Sequence, residues 1–137
     1  MDANLAAFSK VLDPEDTSTG GGTASAIAGA MAGALVAMVA RLPCATDGTE
    51  PDLFYVEIAV EAAALSGMLL DGGHEDSQAF VDVRSAFRLP KQTDEQMAGR
   101  RAAIQAAWLN ASLVPLTNAE RCARVLELGA QARYFAY

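Results

Sequence analysis

Apolar residues recur along most of this chain at spacings of three and four, the repeat of an α-helix that buries one face. Leu5, Phe8 and Leu12 predict a short amphipathic helix over 2–12, ended by Asp13-Pro14. The pattern then changes character. Between Asp16 and Arg41 no side chain is charged, and the loop through Gly20-Gly21-Gly22 leads into a run of small residues. The spacing predicts a helix over 23–42, with Thr23 as its cap and Pro43 as its stop. Ala26, Ala30 and Ala34 form one small stripe, and Gly29 and Gly33 another, so neighbours can approach closely from more than one direction. This helix is expected at the centre of the fold and almost fully buried.

After a polar connection from Pro43 to Pro51, Val56, Ala59, Val60, Ala63 and Ala64 define the inward face of a helix over 52–70. Asp71-Gly72-Gly73 is expected to break or bend the chain. Asp76, Ala79, Phe80, Val83 and Phe87 then predict a fourth helix over 75–88, ended at Leu89-Pro90. Thr93-Asp94-Glu95-Gln96 has the form of a capping box. It opens a fifth helix that runs to about Val114 and buries Met97, Ile104, Trp108 and Ala111. Pro115 should kink or break it, and Ala119, Cys122, Val125, Leu126 and Gly129 mark a last amphipathic stretch. The expected fold is all-α: one domain over 1–137, a mostly antiparallel bundle of five to six helices around the small-residue helix.

Composition agrees with helices. Hydrophobic residues make up 52% of the chain and aromatics 7%, with alanine and leucine abundant and β-branched residues few. A formal charge of −7 and the lack of a basic stripe argue against nucleic acid as a partner. The uncharged run of 20–40 is long enough to span a bilayer, but it is mostly Ala and Gly, which favour insertion weakly. A helix covered by neighbouring helices fits it better, and no membrane partner is expected. The start, Met1-Asp2-Ala3-Asn4, lacks the basic and apolar segments of a signal peptide, so the expected location is cytoplasmic. Cys44 and Cys122 lie far apart and His74 is the single histidine, so no metal site is expected.

Candidate chemistry is sparse. Gly20, Gly21 and Gly22 bare backbone N–H groups just where a helix begins, an arrangement that holds an anion or forms a tight turn. No Gly-Lys-Ser/Thr follows and no strand precedes, so it is neither a nucleotide phosphate loop nor a dinucleotide fingerprint. His74-Glu75-Asp76 reads first as acidic capping of a helix start. Asp76 differs in sharing a face with Phe80 and Val83, where a carboxylate can serve as acid or base. Arg84, Arg88 and Lys91 gather around Leu89-Pro90, as a solvated helix end or an anion site. Arg100, Arg101, Arg121, Arg124 and Arg133 read mainly as exposed faces, Glu57 and Glu61 as a polar face, Cys44 as a loop thiol and Cys122 as a small core residue.

Two stretches carry a family resemblance. One is Thr19-Gly20-Gly21-Gly22-Thr23-Ala24-Ser25-Ala26 with the small-residue helix behind it. The other is Asp76-Ser77-Gln78-Ala79-Phe80, then Ala86-Phe87-Arg88-Leu89-Pro90-Lys91, then Arg101-Ala102-Ala103-Ile104-Gln105-Ala106-Ala107 and Val114-Pro115-Leu116. In order and spacing they resemble the cyclodeaminase/cyclohydrolase family of folate enzymes. The resemblance implies a helical bundle that forms a homodimer, with a folate cleft near the subunit interface. It implies one of two reactions in one-carbon metabolism, formiminotetrahydrofolate cyclodeaminase or methenyltetrahydrofolate cyclohydrolase, with the tetrahydrofolate derivative as substrate and no cofactor or metal. On this reading Gly20, Gly21, Gly22 and Thr23 hold an anionic part of the folate, Asp76 exchanges the proton, and Lys91 is a charge partner for substrate or for Asp76. The acidic segment Thr46 to Asp52 replaces a stretch that is often lysine-rich, and related chains usually continue past the position of Tyr137. Those departures favour the alternative, a small-ligand-binding or interaction domain that keeps the fold without the reaction.

Overall fold

The computed structural model describes residues 8–16, 19–42 and 53–132. Residues 8–11 form a turn of a first helix, α1. Three long helices follow: α2 over Gly21–Val39, α3 over Leu53–Phe87 and α4 over Asp94–Ala132. Among the described residues there is no strand, as expected for an all-α chain. Gly22 faces Asp76, Gly29 faces Leu69 and Gly33 faces Ser66, so α2 and α3 run antiparallel. Asn118 meets Gly72 while Arg124 reaches Glu61, which makes α3 and α4 antiparallel too. Gly29 lies against Cys122 and Gly129 against Val36, so α2 and α4 are parallel.

The helix count is lower than the five to six expected, because two predicted breaks do not occur. Asp71-Gly72-Gly73 lies inside α3, and Pro115 lies inside α4. Each helical glycine costs about 1 kcal/mol relative to alanine, but here that loss is offset by close packing. A Cβ on Gly72 would stand 2.7 Å from Cγ of Asn118, and one on Gly73 would touch Ala26 and the Thr23 carbonyl at 3.7 Å. The glycines are the places where α4 and α2 press into α3. Asn118, itself buried, donates from Nδ2 to the Gly72 carbonyl at 3.0 Å, and Arg121 donates to the Met68 carbonyl at 3.0 Å. These two side chains clamp α3 across its glycine pair.

The capping box at Thr93 is present in modified form. The Gln96 N–H donates to Oγ1 of Thr93 at 3.2 Å, and the Gln96 side chain accepts from the Gln92 N–H, one residue before the cap. Thr23 does not cap α2. The helix begins two residues earlier, with Gly20 at the N-cap and no side-chain cap hydrogen bond.

Small residues also shape the α2–α3 contact. The Ser66 hydroxyl donates to the Ala30 carbonyl at 2.8 Å, and a Cβ on Gly33 would lie 3.1 Å from the Ala62 carbonyl oxygen. Around this seam, Leu69, Val125, Leu128, Ile58, Tyr55 and Ala62 form the core.

The expectation of a central, almost fully buried α2 is not met within one chain. Thr23, Ala26, Ile27, Ala30, Gly33 and Ala37 are buried, but Met31, Leu35 and Met38 on the opposite face are each more than half exposed. Other inward assignments fail in the same way. Val56, Val60, Phe80, Phe87, Met97, Trp108, Ala119 and Leu126 are exposed, and Tyr55, Ile58, Leu69 and Leu128 take the core instead. With three long helices among the described residues, each buries a single stripe.

Arg121 and Arg124 are not plain surface residues. Arg124 makes a two-pronged ion pair with Glu61 at 2.6 and 2.9 Å and also meets Glu127 at 2.9 Å. The guanidinium holds the Glu61 carboxyl below the usual carboxylate range. The small stability this pair supplies is therefore present near neutral pH and lost as pH falls through that lowered value. With α3 unbroken, both α2 and α3 are long and apolar enough to cross a membrane by length and composition. Residues 2–7 of the helix expected over 2–12, Cys44, the segment 46–52 and the last residues 133–137 lie outside the described residues.

Candidate functional site

The start of α2 sits against the middle of α3, and the seam between them ends in a cleft of about 260 Å³. Thr19, Gly20, Asp76, Ser77, Phe80, Val83, Trp108 and Ala111 line it. The cleft exists because α3 continues past its glycine pair. Had the chain turned at Asp71, Asp76 would have stood at a helix start, where capping was expected. Instead it lies mid-helix and projects toward the first turn of α2.

Gly22 makes room for this carboxylate. A Cβ there would overlap the Asp76 side chain, standing 2.7 Å from its Cγ and from Oδ2. Thr23, completely buried, donates its hydroxyl proton to Oδ2 of Asp76 at 2.9 Å, and its oxygen lies 3.0 Å from the Ser77 hydroxyl. A hydroxyl has one proton, so with Thr23 donating to Asp76 the Ser77 hydroxyl is the donor to Thr23. The order is Ser77 to Thr23 to Asp76. This chain fixes one carboxylate oxygen and leaves the other toward Gly22, on a residue that lines the cleft. A carboxylate so placed can take a proton from water or an N–H group and return it.

Gly20 and Gly21 have a different reason to be glycine. A Cβ on either would meet nothing within 4 Å, and Gly20 has φ −116°, a backbone that any residue adopts. Among the described residues, neither packing nor conformation calls for glycine at these two positions. Their effect is to leave the N–H groups of the first turn uncovered, at the positive end of a helix with no acidic residue in its first turn.

The structure thus brings Asp76, Gly20, Gly22 and Thr23 together, with Gly21 beside them. It does not bring Lys91 to them. Lys91 is exposed in the connection after α3, beyond an eleven-residue rise of about 16 Å from Asp76 to the helix end. Sequence reasoning missed Ser77 and assigned Trp108 and Phe80 to the core. The adjacency of Ser77 to Asp76 was the available signal for the first. For Trp108 and Phe80, helical spacing identifies a face but not whether another helix covers it. Pro115 adds one feature: lacking an N–H, it leaves the Ala111 carbonyl without its usual helical donor, on a residue that lines the cleft. Among the described residues no group of three or more metal-ligating side chains is present.

Residues 4–135 match the formiminotransferase-cyclodeaminase family model. A methenyltetrahydrofolate cyclohydrolase of Methylorubrum extorquens is 42% identical over 114 residues, which cover 80% of this chain and 53% of that protein. Formimidoyltransferase-cyclodeaminases of Rattus norvegicus and Mus musculus are 30% and 28% identical over 121 residues, covering 88% of this chain and 22% of each relative. The chain therefore spans about half the length of the first relative and about a fifth of the other two.

Proposed function

This chain belongs to the formiminotransferase-cyclodeaminase family, and on that premise we propose that it is a folate enzyme of one-carbon metabolism, acting as a methenyltetrahydrofolate cyclohydrolase or a formiminotetrahydrofolate cyclodeaminase. The observation that carries this reading is the Asp76 carboxylate, ordered by Thr23 and Ser77 and set over Gly22 at the edge of a cleft.

Both reactions pass through a tetrahedral adduct at one carbon, and the needs of that adduct match the site. In the cyclohydrolase direction, water adds to the methenyl carbon and loses a proton to Asp76. The adduct then opens as its hydroxyl gives up its proton to form the carbonyl, the C–N5 bond breaks and N5 receives a proton from Asp76, leaving the formyl group on N10. In the cyclodeaminase direction, N10 adds to the formimino carbon and gives up its proton. The former imino nitrogen is protonated and departs as ammonia. One carboxylate that takes and returns a proton serves either course, and positioning supplies much of the remainder. The uncovered N–H groups at Gly20 and Gly21 would receive an anionic part of the folate. Lys91 keeps a role in this proposal only as a charge for the substrate's outer anionic groups, or for a site completed by a second copy.

The assay is direct. The purified chain is offered the methenyl compound, whose absorbance falls on hydrolysis, and separately the formimino compound, with ammonia and methenyl absorbance both recorded. Turnover of either above the uncatalysed rate supports the reading. Binding of both with turnover of neither would favour the non-catalytic alternative.

We also propose a homodimer in the cytoplasm. Met31, Leu35 and Met38 form an exposed apolar stripe along the uncharged α2, 52–56% exposed, with exposed Leu42 just past its end, and a second copy is the partner that would cover it. Sedimentation at tens of micromolar is expected to give the dimer mass. A monomer alone at that concentration would contradict the proposal.

A further inference from the structure

The cleft joins a carboxylate to aromatic surface, and that pairing suits a particular ligand chemistry. Phe80 on α3 and Trp108 on α4 are both about half exposed and both line it, with Asp76 between the α2 start and Phe80. Aromatic faces attract cations, and most strongly when the cation is flat and shed of water. This protein already uses its phenylalanines in that way. The Arg84 guanidinium lies 6.0 Å from the centre of the Phe80 ring, and that of Arg100 lies 5.6 Å from Phe87. Among the described residues no Arg or Lys is placed over Trp108. Its indole is the aromatic surface of the cleft that no cation of the described residues occupies.

We infer that Trp108 is a specificity-determining residue, receiving the planar amidinium cation of the substrate opposite the Asp76 carboxylate. This rests on the folate reading above and deepens it. The methenyl carbon bridges two nitrogens that share one positive charge, and a protonated formimino group is also an amidinium. The formyl compounds are neutral at the same carbon. A site with a carboxylate on one side and an indole on the other therefore separates cation from neutral. For the cyclohydrolase reaction it favours the charged member of the pair, and for the cyclodeaminase reaction it suits both ends, each of which carries an amidinium cation. The net charge of −7 acts in the same direction at longer range.

Trp108 is the single tryptophan of the chain and is 53% exposed, so its replacement should leave the core intact. The test compares wild type, Trp108→Leu and Trp108→Phe. KM is measured for the methenyl compound, and the inhibition constant for 5-formyltetrahydrofolate, which is neutral at that carbon. Trp108→Leu keeps apolar bulk and removes the π face. It is expected to raise KM about tenfold, with the inhibition constant within about twofold of wild type, and Trp108→Phe is expected to recover most of the loss. An equal loss for both ligands would make Trp108 an ordinary apolar wall, and no loss for either would place the ring system elsewhere; either result overturns the inference while leaving the folate reading standing. A wild-type chain that binds neither compound would overturn the folate reading itself, and the inference with it.

Discussion

Asp76→Asn is expected to lower turnover of the folate substrate by on the order of a hundredfold or more, with little change in stability. The amide has the shape of the carboxylate and can still accept the Thr23 hydroxyl proton, so the contact between α2 and α3 survives. What it cannot do is take a proton from water or from N10. The two consequences separate in experiment. Thermal unfolding of the variant should stay within a few degrees of wild type, while the initial rate of methenyl absorbance change collapses. Equal rates for the two proteins would remove Asp76 from the chemistry and leave it as a packing residue beneath Gly22.

The second large effect comes from a residue with no chemistry of its own. Gly22→Ala puts a Cβ into the volume that the Asp76 side chain occupies. Asp76 is a short side chain at the mouth of a cleft and has somewhere to turn. The backbone of α2 also gains about 1 kcal/mol of helix propensity from the replacement. Stability should therefore change little, while the carboxylate swings off its Thr23 contact and turnover falls by on the order of ten- to a hundredfold, since a displacement near 1 Å is enough to lose that much. Gly21→Ala is the matched control, because its Cβ meets nothing within 4 Å in the chain. In kcat it should match wild type, and in KM it should rise only to the extent that folate approaches the bare backbone there. If Gly22→Ala were as active as wild type, the close approach of Gly22 and Asp76 would have no bearing on catalysis.

These two residues also show how far the sequence could be read. That Asp76 and the glycine triplet belong together could be anticipated from the family resemblance, and the all-helical fold from periodicity and composition. Their contact could not, because it depends on α3 running unbroken through Asp71-Gly72-Gly73. Local propensity assigns a break there. It is overruled by Asn118 and Arg121, which lie 46 and 53 residues away from the carbonyls they clamp. No local rule reports such a partner.

The capping box at Thr93 was legible because all of its parts lie within five residues. Thr23 was misassigned for the opposite reason. A threonine at a helix start ordinarily satisfies its own backbone, and here its hydroxyl is drawn across the seam to Asp76, leaving the helix to begin at a bare glycine. The apolar faces of α2 and of Trp108 read as core because helical spacing identifies a stripe without saying what covers it. In this chain the stripe facing Leu69, Val125 and Leu128 is covered, and the one carrying Met31, Leu35 and Met38 is not. Lys91 shows the same limit, since membership of a motif did not bring it near the carboxylate within one chain.

On this reading the cleft at the start of α2 is where the folate's one-carbon unit is handled, with Asp76 as the proton carrier. A crystal structure of the protein with 5-formyltetrahydrofolate bound tests this most directly. The formyl carbon is expected beside Asp76, with a carboxylate oxygen within about 3.2 Å of an N–H group or an ordered water at that carbon. Folate bound with its one-carbon unit away from Asp76, and the cleft between Phe80 and Trp108 left to solvent, would contradict it.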